Sequence, residues 1–131
     1  MPLRFEHGEF AIKPITHHLI SCEMSGTFNK EGMKAWVNGM KSMIEPIKNE
    51  PFGLLIDARG YTGGTGEALE IAEGFHQWLR HTKLVAQGHV ISSPTLYSIS
   101  LSRIPSLKHH VVKDFLRMDE AHAWITDKLA S

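Results

Sequence analysis

Phe52-Gly53-Leu54-Leu55-Ile56-Asp57-Ala58-Arg59-Gly60, continued by Tyr61-Thr62-Gly63-Gly64-Thr65-Gly66, is the stretch whose reading decides the fold. Its first five residues form an apolar run between Pro51 and Asp57. Such a run is too short for a helix, and it suits a strand covered on both faces, as central parallel strands are. Asp57 marks the polar end of that strand. Four glycines fall between Gly60 and Gly66, which predicts a flexible turn, and Thr65 stands where a side-chain oxygen would cap the free amides of the next helix. From Thr65 to about His81 the period becomes helical. Ala68, Leu69, Ala72, Phe75 and Leu79 share one stripe, while Glu67, Glu70, Glu73 and Gln77 lie on the other side. A buried strand delivered through a glycine-rich bend into an amphipathic helix is the repeating unit of an α/β fold.

Upstream, Met33, Trp36, Val37, Met40, Met43, Ile44 and Ile47 recur at helical spacing, and Pro46 should end or kink that helix. Before it, Leu3 to Glu6, Glu9 to Lys13 and His18 to Met24 read as short strands, the first two reversed around His7-Gly8, so that an antiparallel meander opens the chain. Downstream, Lys83 to Ile91 reads as a strand. Ser93-Pro94 opens a short helix to about Arg103, because serine caps and proline is harmless at the first helical position. Pro105-Ser106 breaks it, His109 to Phe115 gives a last strand, and Asp119 caps a final helix that turns Ala121, Trp124, Ile125 and Leu129 inward. The expected order is βββαβαβαβα: an α/β fold with a mixed β-sheet and amphipathic helices packed on it through right-handed crossovers.

The 131 residues fit one domain spanning 1–131, since single cores are commonest at roughly 100–150 residues. Fourteen basic residues balance fourteen acidic ones and are scattered, so no positive field exists to hold phosphate backbones, and nucleic acid is not expected as a partner. The longest apolar runs fall far short of the roughly 20 residues that span a bilayer. The start of the chain lacks the basic and apolar segments of a secretory signal, and Cys22 is the only cysteine. These features lead us to expect a cytoplasmic protein.

The order of elements, the strand Phe52 to Gly60, the glycine-rich approach to the helix near Thr65 and the ending Val112 to Ile125 resemble the SpoIIAA-like family of the STAS superfamily, the sulphate transporter and anti-sigma-factor antagonist domains. Phe115, Asp119, Ala121 and Trp124 fit the phenylalanine, acidic, alanine and tryptophan positions that close the last strand and anchor the last helix in that family. The resemblance spans nearly the whole chain and implies a STAS-like module without catalysis. Better-studied relatives switch partners when a serine at the start of the helix after the central strand is phosphorylated, within a pattern resembling Asp-Ser-Ser-Gly. Here Gly63-Gly64-Thr65-Gly66 occupies that stretch, with Gly63 for the aspartate and Gly64 for a serine, so Thr65 is the phosphorylation candidate. Members of this branch are also similar to CRAL-TRIO lipid-binding domains, which implies an apolar-ligand role as the alternative.

From the residues themselves, Asp57, Arg59, Gly60, Tyr61, Thr62, Gly63, Gly64, Thr65 and Gly66 form the candidate site, because open α/β folds bind ligands beyond the carboxyl ends of their strands. Free amides and the positive helix end could hold an anion there, although the spacing is neither a dinucleotide fingerprint nor a P-loop. The competing structural roles are a plain turn, a Thr65 cap and an Asp57–Arg59 surface pair. Nine histidines invite a metal. Yet His17-His18 and His109-His110 are adjacent on predicted strands and should point to opposite faces, while His76 and His81 lie about 140° apart around a helix. No metal and no cofactor is expected, and the histidines are expected to be solvated. Cys22 reads as a small core residue. The Met33, Met40 and Met43 series with Trp36 reads as core, with an adaptable ligand surface as the other option. Tyr61, Tyr97, Phe75 and Trp78 are candidate pocket residues. The expected partners are a protein or a small apolar ligand, and a homodimer is among the admissible assemblies.

Overall fold

The computed structural model describes residues 7–131. The strand expected at Leu3 to Glu6 lies outside the described residues. Among the described residues, five strands form one sheet in the order β1-β2-β3-β4-β5: β1 (Glu9–Thr16), β2 (Leu19–Phe28), β3 (Phe52–Gly64), β4 (Leu84–Val90) and β5 (Val112–Phe115). β1 pairs antiparallel with β2, and every later pairing is parallel, so the sheet is mixed as expected. Four helices accompany it: α1 (Lys30–Ile44), α2 (Gly66–Leu79), α3 (Pro94–Leu101) and α4 (Met118–Ala130).

The path of the chain explains the layers. From β2 onward each strand is added beside the last in one direction, and crossovers of one hand then place their helices on one face. α1, α2 and α3 share that face. α4 follows the last strand, is free of that constraint and packs on the opposite face.

Alternation along the strands feeds both faces. Phe52, Leu54 and Ile56 join Trp36, Met40 and Phe75 in the larger core under α1 and α2. Leu55 turns the other way, to Leu19, Val90, Ala121 and Ile125 beneath α4. Met33, Trp36 and Met40 are buried and Met43 is half-buried, so the methionine stripe is core. The helix they form starts at Asn29, whose side chain accepts from Gly32 N at 2.9 Å, and it tightens into a 3-10 turn at Pro46, where proline denies the α pattern a donor.

Three local expectations are corrected. The glycine-rich stretch from Gly60 is no turn. β3 runs on to Gly64, and Gly60, Tyr61, Gly63 and Gly64 pair with Ser25, Gly26, Thr27 and Phe28 of the long β2, with register shifts that glycine accommodates. A Cβ on Gly60 would lie 2.8 Å from that of Ser25, and Gly63 has φ of 118°. Glycine is therefore required by close strand approach and by a bulge, two demands that look like a turn in sequence. The last helix starts two residues earlier than expected: Arg117 is its N-cap residue without a side-chain cap, and Asp119 sits in the first turn, paired with Arg117 Nε at 3.0 Å. Finally, the last strand covers only Val112–Phe115, because Pro105 starts a second 3-10 turn that holds residues to His109.

Candidate functional site

Beneath α3, on the α1 and α2 face, the sheet is not closely packed. A cavity of about 80 Å³ opens there. Met24, Met33, Trp36, Leu69, Leu101 and Ile104 supply its apolar walls. That is about half the volume of an engineered apolar cavity able to admit benzene, roughly 150 Å³. A second, smaller space of about 10 Å³ lies between α3 and the end of β3, and Ala58, Tyr61 and Tyr97 border both.

One end of the cavity is polar, and β4 makes it so. Gln87 and His89 are two residues apart on that strand and therefore face the same side. His89 Nε2 lies 2.7 Å from Gln87 Oε1, and His89 Nδ1 lies 2.7 Å from the Tyr97 hydroxyl of α3. His76 approaches from α2, with Nδ1 2.8 Å from the Ala72 carbonyl oxygen and Nε2 3.5 Å from Gln87 Oε1. Ser100 of α3 and Tyr61 of β3 close the rim, their hydroxyls 3.1 Å apart. Burial pushes His89 down to about 3 and also lowers His76, so both rings are neutral at physiological pH. Burial likewise raises Tyr97 and Tyr61, which keep their protons. Gln87 is 1% exposed, and its Nε2 has no hydrogen-bond partner among the described residues.

Among the residues singled out from sequence, Tyr61 and Tyr97 come together at this cavity, whereas Phe75 is buried beside Trp36 and stacks with Trp78 away from it. Asp57 does not end its strand as expected but lies midway along β3, and its carboxylate is engaged by a neighbour. Arg59 Nε donates to its Oδ1 at 2.9 Å and Nη2 to its Oδ2 at 2.8 Å, and this pairing holds the Asp57 carboxyl below its usual range. Thr62 is hydrogen-bonded to Thr27 across the strands at 2.7 Å, and exposed Thr65 accepts from Ala68 N at 3.2 Å as the cap of α2. Gly60, Gly63, Gly64 and Gly66 contribute backbone only.

The histidines depart from expectation in two ways. His76 and His89 are buried rather than solvated. His17 and His18 form the turn between β1 and β2 instead of extending along a strand, so their rings meet at 4.6 Å and, with Glu50, offer ligand atoms within 4.8 Å of one another. All three are exposed, and the His17–Glu50 contact of 3.4 Å has the character of a surface pair. Cys22 is the core residue its strand position implied: Trp36 Nε1 lies 2.9 Å from its sulfur, and burial pushes the thiol up to about 12.

Gln87 and His89 went unmarked in the sequence although a signal was present. A central strand covered on both faces should read as a continuous apolar run. Leu84-Val85-Ala86-Gln87-Gly88-His89-Val90 instead places two polar side chains on one side of an interior strand.

No protein-family model matches the chain, and no curated protein matches it. Among solved structures it is similar to an uncharacterized protein of the DUF3478 family with a SpoIIAA-like fold from Shewanella loihica PV-4, at TM-score 0.68 and 15% identity over 90% of this chain and 94% of that one. The protein thus has the SpoIIAA-like fold that the strand Phe52 to Gly60 and the closing helix suggested. Among the described residues no helix is long and apolar enough to cross a membrane.

Proposed function

We propose that this protein is a binding module, a carrier or sensor of a small and largely apolar ligand held between the sheet and α3. The observation that carries it is the cavity of about 80 Å³ with apolar walls and a polar end made by Gln87, His89 and Tyr97. Interiors pack to the density of organic crystals, and an unfilled space lined by side chains forfeits their dispersion contacts. Ligand sites share the opposite design, an apolar concavity with a few placed polar groups.

Binding without chemistry agrees with the direction of the shifts. A base working near neutrality needs a pKa near the ambient pH. Here burial drives His89 down to about 3 and Tyr97 up, so the proton between them stays on the phenol. The Cys22 thiol is held protonated by the same cause. Native mass spectrometry of freshly purified protein tests the proposal. A mass excess that disappears on organic extraction is expected, and a bare chain that also takes up no apolar probe contradicts it.

A regulatory, partner-binding role is the second reading, supported by the exposed Thr65 at the start of α2. A phosphate there would meet the positive end of the helix. Thr65→Glu should then change partner capture, and unchanged capture would remove this reading without touching the first.

A further inference from the structure

Hydrogen-bond accounting at the polar end of the cavity identifies what the ligand must carry. The Ala72 carbonyl oxygen only accepts, so His76 Nδ1, 2.8 Å away, bears the proton. The neutral ring then presents a bare lone pair at Nε2. Its neighbour there is Gln87 Oε1 at 3.5 Å, a second acceptor, which already receives the His89 Nε2 proton at 2.7 Å. Gln87 Nε2 meanwhile donates to nothing among the described residues. An unanswered acceptor and an unanswered donor therefore border one cavity, both on side chains at least nine-tenths buried. Turning the Gln87 amide over would give its hydrogens to the two imidazoles and leave its oxygen bare instead. A hydroxyl completes the set in either orientation: it donates and accepts through one atom as the amide stands, and donates to the bare oxygen once the amide is turned.

The rest of the cavity restricts what bears that hydroxyl. A single water needs only about 10–15 Å³, so one water leaves most of the 80 Å³ empty against Met24, Met33, Leu69 and Leu101. Among the described residues, no Lys, Arg, Asp or Glu lines the cavity. A carboxylate or ammonium would be desolvated there without a counter-ion, which disfavours its charged form.

We propose that the cavity takes an uncharged ligand with one hydroxyl on a short apolar body, an alcohol or a phenol, its oxygen seated between His76 Nε2 and the Gln87 amide. The inference rests on the cavity being a ligand site. Its test distinguishes the two statements. The full chain with 13C-labelled methionine methyls is titrated with 1-butanol, with its isomer diethyl ether, which lacks a donor, and with butanoate at pH 7.

The Met24 and Met33 methyls should shift saturably with 1-butanol. Diethyl ether should bind about tenfold more weakly, the value of one hydrogen bond to a buried partner, and butanoate should produce no shift. Gln87→Leu should abolish the preference for the alcohol while both neutral probes still bind. If that variant does not fold, the ranking on the native chain decides alone. Equal binding of alcohol and ether, or tighter binding of butanoate, overturns the hydroxyl assignment and leaves the cavity a ligand site. No shift with any probe, a cavity holding water only, overturns both.

Discussion

The two faces of the sheet are built from alternate residues of the same strands, yet they solve the packing problem in opposite ways. Under α4, β3 and β4 present Gly53 and Gly88 to Ile125, so closely that an added Cβ would lie 2.5 Å and 3.0 Å from its side chain. Leu19, Leu55, Val90, Ala121 and Ile125 form the buried apolar cluster of that face. Under α1, α2 and α3, the next residues along β4 are Gln87 and His89, and a cavity remains beside them. A sequence able to bring helix and sheet into full contact on one side leaves polar groups and space on the other. The closed face serves stability, whereas the open face has the composition of a binding site.

The largest effect should come from the closed face. Ile125→Ala removes the side chain that fits against both glycines and should cost about 2–5 kcal/mol in chemical denaturation, because the helix cannot sink further onto the strands. A loss below about 1 kcal/mol would mean that this face is as loosely packed as the other.

Acid should attack the open face next. His89 and His76 both have lowered folded values, with burial as the leading cause. In the unfolded chain they take up protons near the usual 6.5, while in the folded chain both resist to lower pH, His89 to about 3. The unfolded state therefore binds more protons through this window, and stability falls as pH falls below about 6.5. His89 alone, pushed down to about 3, should contribute a loss of about 3 kcal/mol by pH 4. Urea midpoints measured from pH 7 to pH 4 check this, and a flat profile would place the two rings in solvent.

These expectations also show what the sequence revealed. The apolar run Phe52 to Ile56 and the stripes of α1 and α2 were legible because burial on both faces and helical period leave direct marks. The glycines from Gly60 onward read as a turn because a bulge, a close strand approach and a turn all ask for the same residue, and only pairing with Ser25 to Phe28 distinguishes them. Tyr61 and Tyr97 are pocket candidates by residue type, but their meeting requires the crossover that lays α3 beside β3. Gln87 and His89 lay in a strand recognised as such. Their polarity in an interior strand was the readable sign, while the neutrality of His89 depends on burial that no local pattern specifies.

Smaller effects sharpen the contrast at the helix starts. Thr65 caps α2 on the open face, and Thr65→Ala should cost about 1 kcal/mol. The first residue before α4 provides no side-chain cap, so Arg117→Ala should change thermal stability far less. A similarly small change in stability is expected from filling space. Ala58 is half-buried and borders both cavities, and Ala58→Val should alter stability by less than about 1 kcal/mol while reducing uptake of apolar probes. A large loss of stability there would show that the space is already occupied by close packing.

The difference between the faces can be measured directly by solving a crystal structure under xenon pressure. Xenon should occupy the space among Met33, Leu69 and Leu101 and be absent between the sheet and α4. Equal occupancy on both faces, or no site beneath α3, would contradict the assignment of that side of the sheet to ligand binding.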